Sequence, residues 1–260
     1  MATGKKTRNR YIGTDSDGNA LANIPELLKA KGYNTGVITT DEITGATPSA
    51  FYAHQNERDM TKEIGADFLK STLNLAVGGG KNRFIGQTQF TEAHSPSELA
   101  NSNAEQVVMW LSEGSVSSVL KGRKPILPES VAAGLSFLQS KNKPFFLMVE
   151  GAQIDSGGHN NSAGTIITEG IDFDKAIAEA LKFADQNEGT LVVITADHET
   201  GSFSLPHGNL KTKTVEGDFG TDDHSGIMVP VFSYGPRSKE FTGVYENNEI
   251  FHKIMKVLSK

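Results

Sequence analysis

Pro144-Phe145-Phe146-Leu147-Met148-Val149 is an unbroken apolar run of the length of one buried strand, and it stops at Glu150. A strand apolar on both faces belongs in a sheet covered on both sides, so this run sets the class of the fold. Working outward, Leu127 to Leu138 places Val131, Leu135 and Leu138 on one helical face. Ile177, Leu181 and Ala184 mark a helix on the other side, and Leu191-Val192-Val193-Ile194-Thr195 is the next apolar strand. Ile227 to Tyr234 reads as a further strand, and Ile250, Ile254 and Val257 close the chain on a helix. Towards the start, Asn23-Ile24-Pro25-Glu26 has the signature of a capped helix with Gly32 as its stop. Val37 to Thr40 and Leu73 to Val77 are two more short apolar strands, the second running into Gly78-Gly79-Gly80. Apolar strands alternating with amphipathic helices predict an α/β three-layer sandwich with a mostly parallel central sheet. The more polar stretch 83–123 reads as an insertion or as peripheral helices within a single domain spanning 1–260.

Composition narrows the chemistry. With 260 residues the chain has room for one large α/β domain. A net charge of −6 without a basic run argues against nucleic acid as a partner. No apolar run approaches the ~20 residues needed to cross a bilayer, so no membrane span is expected. There is no cysteine, so any metal must be held by His, Asp and Glu.

In sheets of this kind ligands gather beyond the carboxyl ends of the strands, and these ends are where the chain concentrates carboxylate and imidazole. Glu150 is followed by Gly151-Ala152-Gln153-Ile154-Asp155-Ser156-Gly157-Gly158-His159. Thr195 is followed by Ala196-Asp197-His198-Glu199-Thr200-Gly201, and Asp222-Asp223-His224-Ser225-Gly226 precedes the strand at 227. Asp155 and His159 stand four apart, so one helical turn can aim both at one ion. A sulfur-free set of this kind suits zinc or a similar divalent ion, and a glutamate oxygen with hydroxyls suits magnesium. Taken singly, each of these pairs is more often a surface pair or a helix cap, and the three together carry the reading. Gly78-Gly79-Gly80-Lys81 lacks the spacing of a phosphate loop and reads as a tight turn. His94, His207 and His252 read as ordinary surface residues.

The segment from Phe145 to His159 closely resembles the signature of the alkaline phosphatase family. Val193 to Gly201 and His224-Ser225-Gly226 resemble two further blocks of it. Gly45-Ala46-Thr47-Pro48, followed by Ala53-His54 and Arg58, resembles a fourth, and the order and approximate spacing of all four match.

The resemblance implies hydrolysis of phosphate monoesters through a phosphoserine intermediate, with two zinc ions and one magnesium. Asp155, His159 and His224 would hold one zinc, and Asp197 and His198 the second. Thr47 and Glu150 would serve the magnesium. Arg58 would clamp two phosphate oxygens with its fork, a geometry that lysine lacks. Inorganic phosphate is the implied product, a homodimer the implied assembly, and the periplasm or the exterior the implied location. Gly45 stands where members have Asp or His, and Ser156 where members have Lys or His; in the family both positions tune the third metal and the phosphate. Met1-Ala2-Thr3-Gly4 resembles only the tail of the family's nucleophile segment. The serine and the family's first strand are therefore expected upstream of Met1, as is any targeting segment. Asp15-Ser16 is the only early Asp-Ser pair and reads as a turn. A chain without that strand is expected to expose sheet edges and apolar surface. Two other classes stay open: a zinc-binding protein without catalysis, and a related metallo-hydrolase acting on phosphodiesters, sulfate esters or phosphonates.

Overall fold

The computed structural model describes residues 1–84 and 89–258. A five-stranded parallel sheet holds β1 (Asn34–Glu42), β2 (Leu75–Gly79), β3 (Thr91–Ala93), β4 (Val107–Trp110) and β5 (Phe145–Glu150), in the order β3-β4-β2-β1-β5. Because successive side chains of a strand leave opposite faces, each strand feeds two cores. Val37, Ala76, Val108, Phe146 and Met148 enter one; Ile38, Leu75, Val77, Val107, Met109, Phe145, Leu147 and Val149 enter the other.

Helices cover both faces. The first core is closed by α1 (Ile24–Lys29), α2 (Ala46–Ser49), α3 (Thr61–Lys70) and, at the chain's end, α8 (Glu249–Leu258). The second is closed by α4 (Pro96–Ala100), α5 (Leu127–Ser140) and α7 (Ala163–Gln186), and short α6 (Gln153–His159) follows β5. This is the expected three-layer α/β sandwich. α1 starts as its sequence predicts. The Asn23 side chain accepts from the Glu26 amide and the Glu26 carboxylate accepts from the Asn23 amide, which satisfies two donors that a helix start leaves orphaned.

Two expectations change. The 83–123 stretch is more than peripheral helices, because β3 and β4 lie within it and complete one side of the sheet. Their brevity, and the polar loops around them, hid them from a reading based on periodicity. Residues 85–88 of that stretch lie outside the described residues. Arg123 ties its end to α7, pairing with Glu169 at 2.5 Å and Asp172 at 3.0 Å in a nearly dry setting.

The second change concerns the late strands. The run at 227–234 forms a strand only over β11 (Val231–Tyr234), because Pro230 has no amide to donate. It pairs antiparallel with β6 (Val192–Thr195), and the two make a separate two-stranded sheet. A cavity of about 1100 Å³ separates β5 from β6, lined by apolar side chains of both strands and by Met1, Glu150, Asp155, Asp197 and His198 towards its polar end. Three short strands, β7 (Glu199–Thr200), β8 (Ser204–Asn209) and β9 (Thr214–Asp218), follow β6. β7 pairs with β10 (His224–Ser225), and β8 with β9.

Candidate active site

The polar ends of β1, β5 and β6 converge. α6 leaves β5 at once, and its single turn puts His159 Nε2 3.5 Å from Asp155 Oδ2, as the four-residue spacing predicts. The β7–β10 ladder sets His224 opposite Thr200, and this brings His224 Nε2 to 3.7 Å from Asp155 Oδ1. Ligand atoms of Asp155, His159 and His224 all lie within 4.8 Å of one another. The His198 ring stacks on that of His224 with centroids 3.6 Å apart, and its Nε2 lies 3.4 Å from Asp197 Oδ2. Glycine makes this proximity possible: a Cβ on Gly158 would lie 2.7 Å from the Thr200 carbonyl oxygen. α6 and β7 therefore touch backbone to backbone.

Hydrogen bonds fix which imidazole nitrogens face the centre. His159 Nδ1 lies 2.7 Å from the Asp222 carbonyl and must donate to it. The Thr200 hydroxyl donates to Asp155 Oδ1 at 2.5 Å, so its oxygen accepts from His198 Nδ1 at 3.1 Å. Both rings then turn Nε2 towards carboxylate oxygens. Imidazole nitrogens and carboxylate oxygens 3.4–3.7 Å apart are a donor set that a cation can bridge, and the backbone and hydroxyl partners are the outer support such ligands need. Beside them, Glu199 is held by Ser225 and by the amides of Ser202 and Phe203.

A second acidic pocket adjoins. Burial pushes the Glu150 carboxyl up to about 7; the hydroxyls of Thr39 and Thr47 favour its ionised form, and the charges of Asp41 and Asp197 oppose it. Thr39 donates to Glu150 Oε2 at 2.5 Å. Thr47, on α2, lines the same cavity as Glu150 and Asp155. Among the described residues no ion pair involves Asp41 or Glu150, so this pocket too fits a cation from outside the chain. Arg58 is exposed and its charge acts on Asp41. Its sequence neighbours Glu57 and Asp59 are engaged by Arg10.

All seven candidate metal ligands are thus gathered at one end of the sheet, and the charge of Arg58 acts on Asp41. Sequence reasoning missed three side chains: Thr39, Asp41 and Thr200. Thr39 and Asp41 had a signal, since they close the apolar run of β1 at the end where ligands gather. Asp15-Ser16 is a turn, with Asp15 Oδ1 accepting from the amides of Asp17 and Asn19. Lys81 pairs with Glu92 at 2.5 Å, after Gly80 turns the chain at φ 85°.

A parallel sheet with carboxylates and imidazoles converging at the polar end of a largely apolar cavity is an arrangement suited to a metal-site hydrolase. The family model for alkaline phosphatase matches residues 1–106 and 89–217. The chain belongs to the alkaline phosphatase family. It is similar to alkaline phosphatase 4 of Bacillus subtilis, with 27% identity over 343 residues covering 99% of this chain and 74% of that protein. The solved alkaline phosphatase of the Antarctic bacterium TAB5 superposes with a TM-score of 0.92 at 39% identity, covering 99% of this chain and 82% of that one. A substituted form of that enzyme, described with magnesium bound in its M3 site, superposes at 0.91 with 38% identity, covering 99% and 81%.

Proposed function

We propose that the chain hydrolyses phosphate monoesters, with zinc-class ions held by Asp155, His159 and His224 and by Asp197 and His198. A magnesium-class ion would be held by Thr47 and Glu150. The observation that carries this reading is the Asp155–His159–His224 cluster, with ligand atoms within 4.8 Å, against which His198 stacks. Its family membership and the magnesium described in a solved relative support the same assignment. Bound there, divalent ions would supply positive charge to phosphate oxygens and lower the pKa of a hydroxyl or water.

The chain's own groups position the imidazoles and the phosphate. Asp222 and Thr200 orient the imidazoles so that Nε2 is available. The Arg58 fork binds two phosphate oxygens, orienting the ester's phosphorus towards the metal side of the cavity. A nucleophilic serine of the family kind must reach this same cavity. Met1 lines it.

Hydrolysis of a chromogenic phosphate monoester, with zinc and magnesium supplied, tests the reading. We expect His224→Ala and Asp155→Ala each to lower kcat/KM by about a hundredfold or more, the upper end of what supporting shells alone contribute. We expect Arg58→Ala to raise the inhibition constant of inorganic phosphate. A phosphodiester or sulfate ester hydrolysed better than the monoester would overturn the substrate class. Zinc binding without turnover would overturn the enzymatic reading for these 260 residues.

A further inference from the structure

Gly45 caps the start of α2 two residues before Thr47, and has no side chain to offer the pocket. The space beside it is nevertheless filled. A Cβ built on Gly45 would fall 2.1 Å from Asp41 Oδ2 and 2.9 Å from its Cγ. Asp41, at the end of β1, therefore delivers a carboxylate to the place that a side chain at position 45 would occupy. No residue but glycine fits there while Asp41 keeps this rotamer.

That carboxylate is held in place. Its Oδ1 accepts the Glu42 amide at 2.7 Å, and the Asp41 amide donates to Thr39 Oγ1 at 2.9 Å. The same Thr39 hydroxyl donates to Glu150, so Asp41 and Glu150 are coupled through one threonine. Oδ2 is the oxygen nearest the Gly45 side-chain position, and the charges of Glu42, Arg58, Asp155 and Glu150 act on the carboxylate. Ser156, on the facing helix, adds no cation. A hydroxyl and two carboxylates, with no nitrogen among them, are a set for a hard, oxygen-seeking ion.

We propose that Asp41 is an additional ligand, direct or through one water, of the divalent-cation site built on Thr47 and Glu150, and that Gly45 is glycine because Asp41 occupies its side-chain space. The inference rests on the reading of Thr47 and Glu150 as a magnesium-class site. It adds a residue to that site and makes two predictions. The site prefers magnesium or manganese to zinc, and a carboxylate at 45 can replace the one at 41 but cannot coexist with it.

The test is manganese binding to the full chain preloaded with zinc, read by the electron paramagnetic resonance of free Mn²⁺, with Mg²⁺ competition and Mg²⁺-induced shifts in Tm alongside. Zinc bound at the histidine cluster serves as the control for folding. Expected are an affinity loss of about tenfold or more for Asp41→Asn, the scale of a lost supporting contact at a metal site, and loss of the Mg²⁺-dependent rise in Tm. The double variant Asp41→Thr with Gly45→Asp should recover manganese affinity, whereas Gly45→Asp alone should not improve on the unsubstituted chain. Manganese affinity within about twofold for Asp41→Asn, with Glu150→Gln abolishing it, would overturn the role of Asp41 while leaving the site intact. A Glu150→Gln variant that also binds manganese normally would overturn the site itself. Weakened phosphate binding with unchanged manganese affinity would make Asp41 a partner of Arg58 instead, and would equally overturn the proposal.

Discussion

β1 and β6 are both apolar strands that run into the site, yet they are built differently. β1 has a strand on each side, and all but one of its residues are buried. β6 has β11 alone; its four residues are half-buried, and Phe232 and Tyr234 of β11 stand 60% and 48% exposed. An apolar run specifies a strand, but the number of hydrogen-bonded neighbours decides how deeply it is buried. The site straddles the two regions. Asp41 and Thr47 stand at and just beyond the end of the buried β1, Glu150, Asp155 and His159 follow β5 at the half-buried edge of the same sheet, and Asp197, His198 and His224 belong to the two-stranded ladders. Thr200 joins the two through its bonds to Asp155 and His198.

The strongest way to sharpen that contrast is to cut equivalent side chains on each side. Phe68 is fully buried and stacks on Phe90 at 4.6 Å. Phe68→Ala should cost about 3–5 kcal/mol in chemical denaturation, whereas Phe232→Ala should cost under about 1 kcal/mol. Equal losses would erase the distinction. Next comes the ion network that fastens the 83–123 stretch to α7. Arg123→Met leaves Glu169 and Asp172 unpaired in the interior, and a loss of about 3 kcal/mol is expected in the same measurement. An unchanged midpoint would mean that water reaches those carboxylates.

A smaller effect addresses the joint between the regions. Thr200→Val removes a hydrogen bond from Asp155 and another from His198 with little change of shape. Zinc affinity, measured against a competing chelator, should fall about tenfold, or about 1.4 kcal/mol. A full-strength site in this variant would show that the two regions hold their ligands independently.

The smallest effect lies far from the joint. His54 sets Nδ1 2.7 Å from the Gly13 carbonyl and Nε2 2.9 Å from Glu26. The Glu26 hydrogen bond raises the imidazole above its ordinary 6.5, against the opposing effect of burial. A raised histidine stabilises the fold fully below pH 6.5 and loses that contribution as pH rises through the folded value. Stability between pH 6 and 8 should therefore decline by under about 1 kcal/mol, and His54→Gln should flatten the decline. A steeper profile in the variant would contradict the pairing.

Much of the architecture was legible because it is local. The alternation of apolar strands and amphipathic helices fixed the sandwich, the Asn23–Glu26 box fixed the start of α1, and the four-residue spacing fixed Asp155 and His159 on one turn. The ends of the apolar runs also marked where the chemistry would gather. The rest depended on residues far apart in the chain. That β6 pairs with β11 rather than joining the main sheet, and that β3 and β4 complete it, are choices among non-local partners that a periodicity cannot express. The same holds within the site. Thr200 reaches Asp155 across 45 positions, and His224 meets His198 by a two-residue ladder. The sequence alone determined which residue types stand at the strand ends. Only the tertiary structure decided which of their atoms face one another, because that depends on hydrogen-bond partners and close backbone approaches brought together by folding.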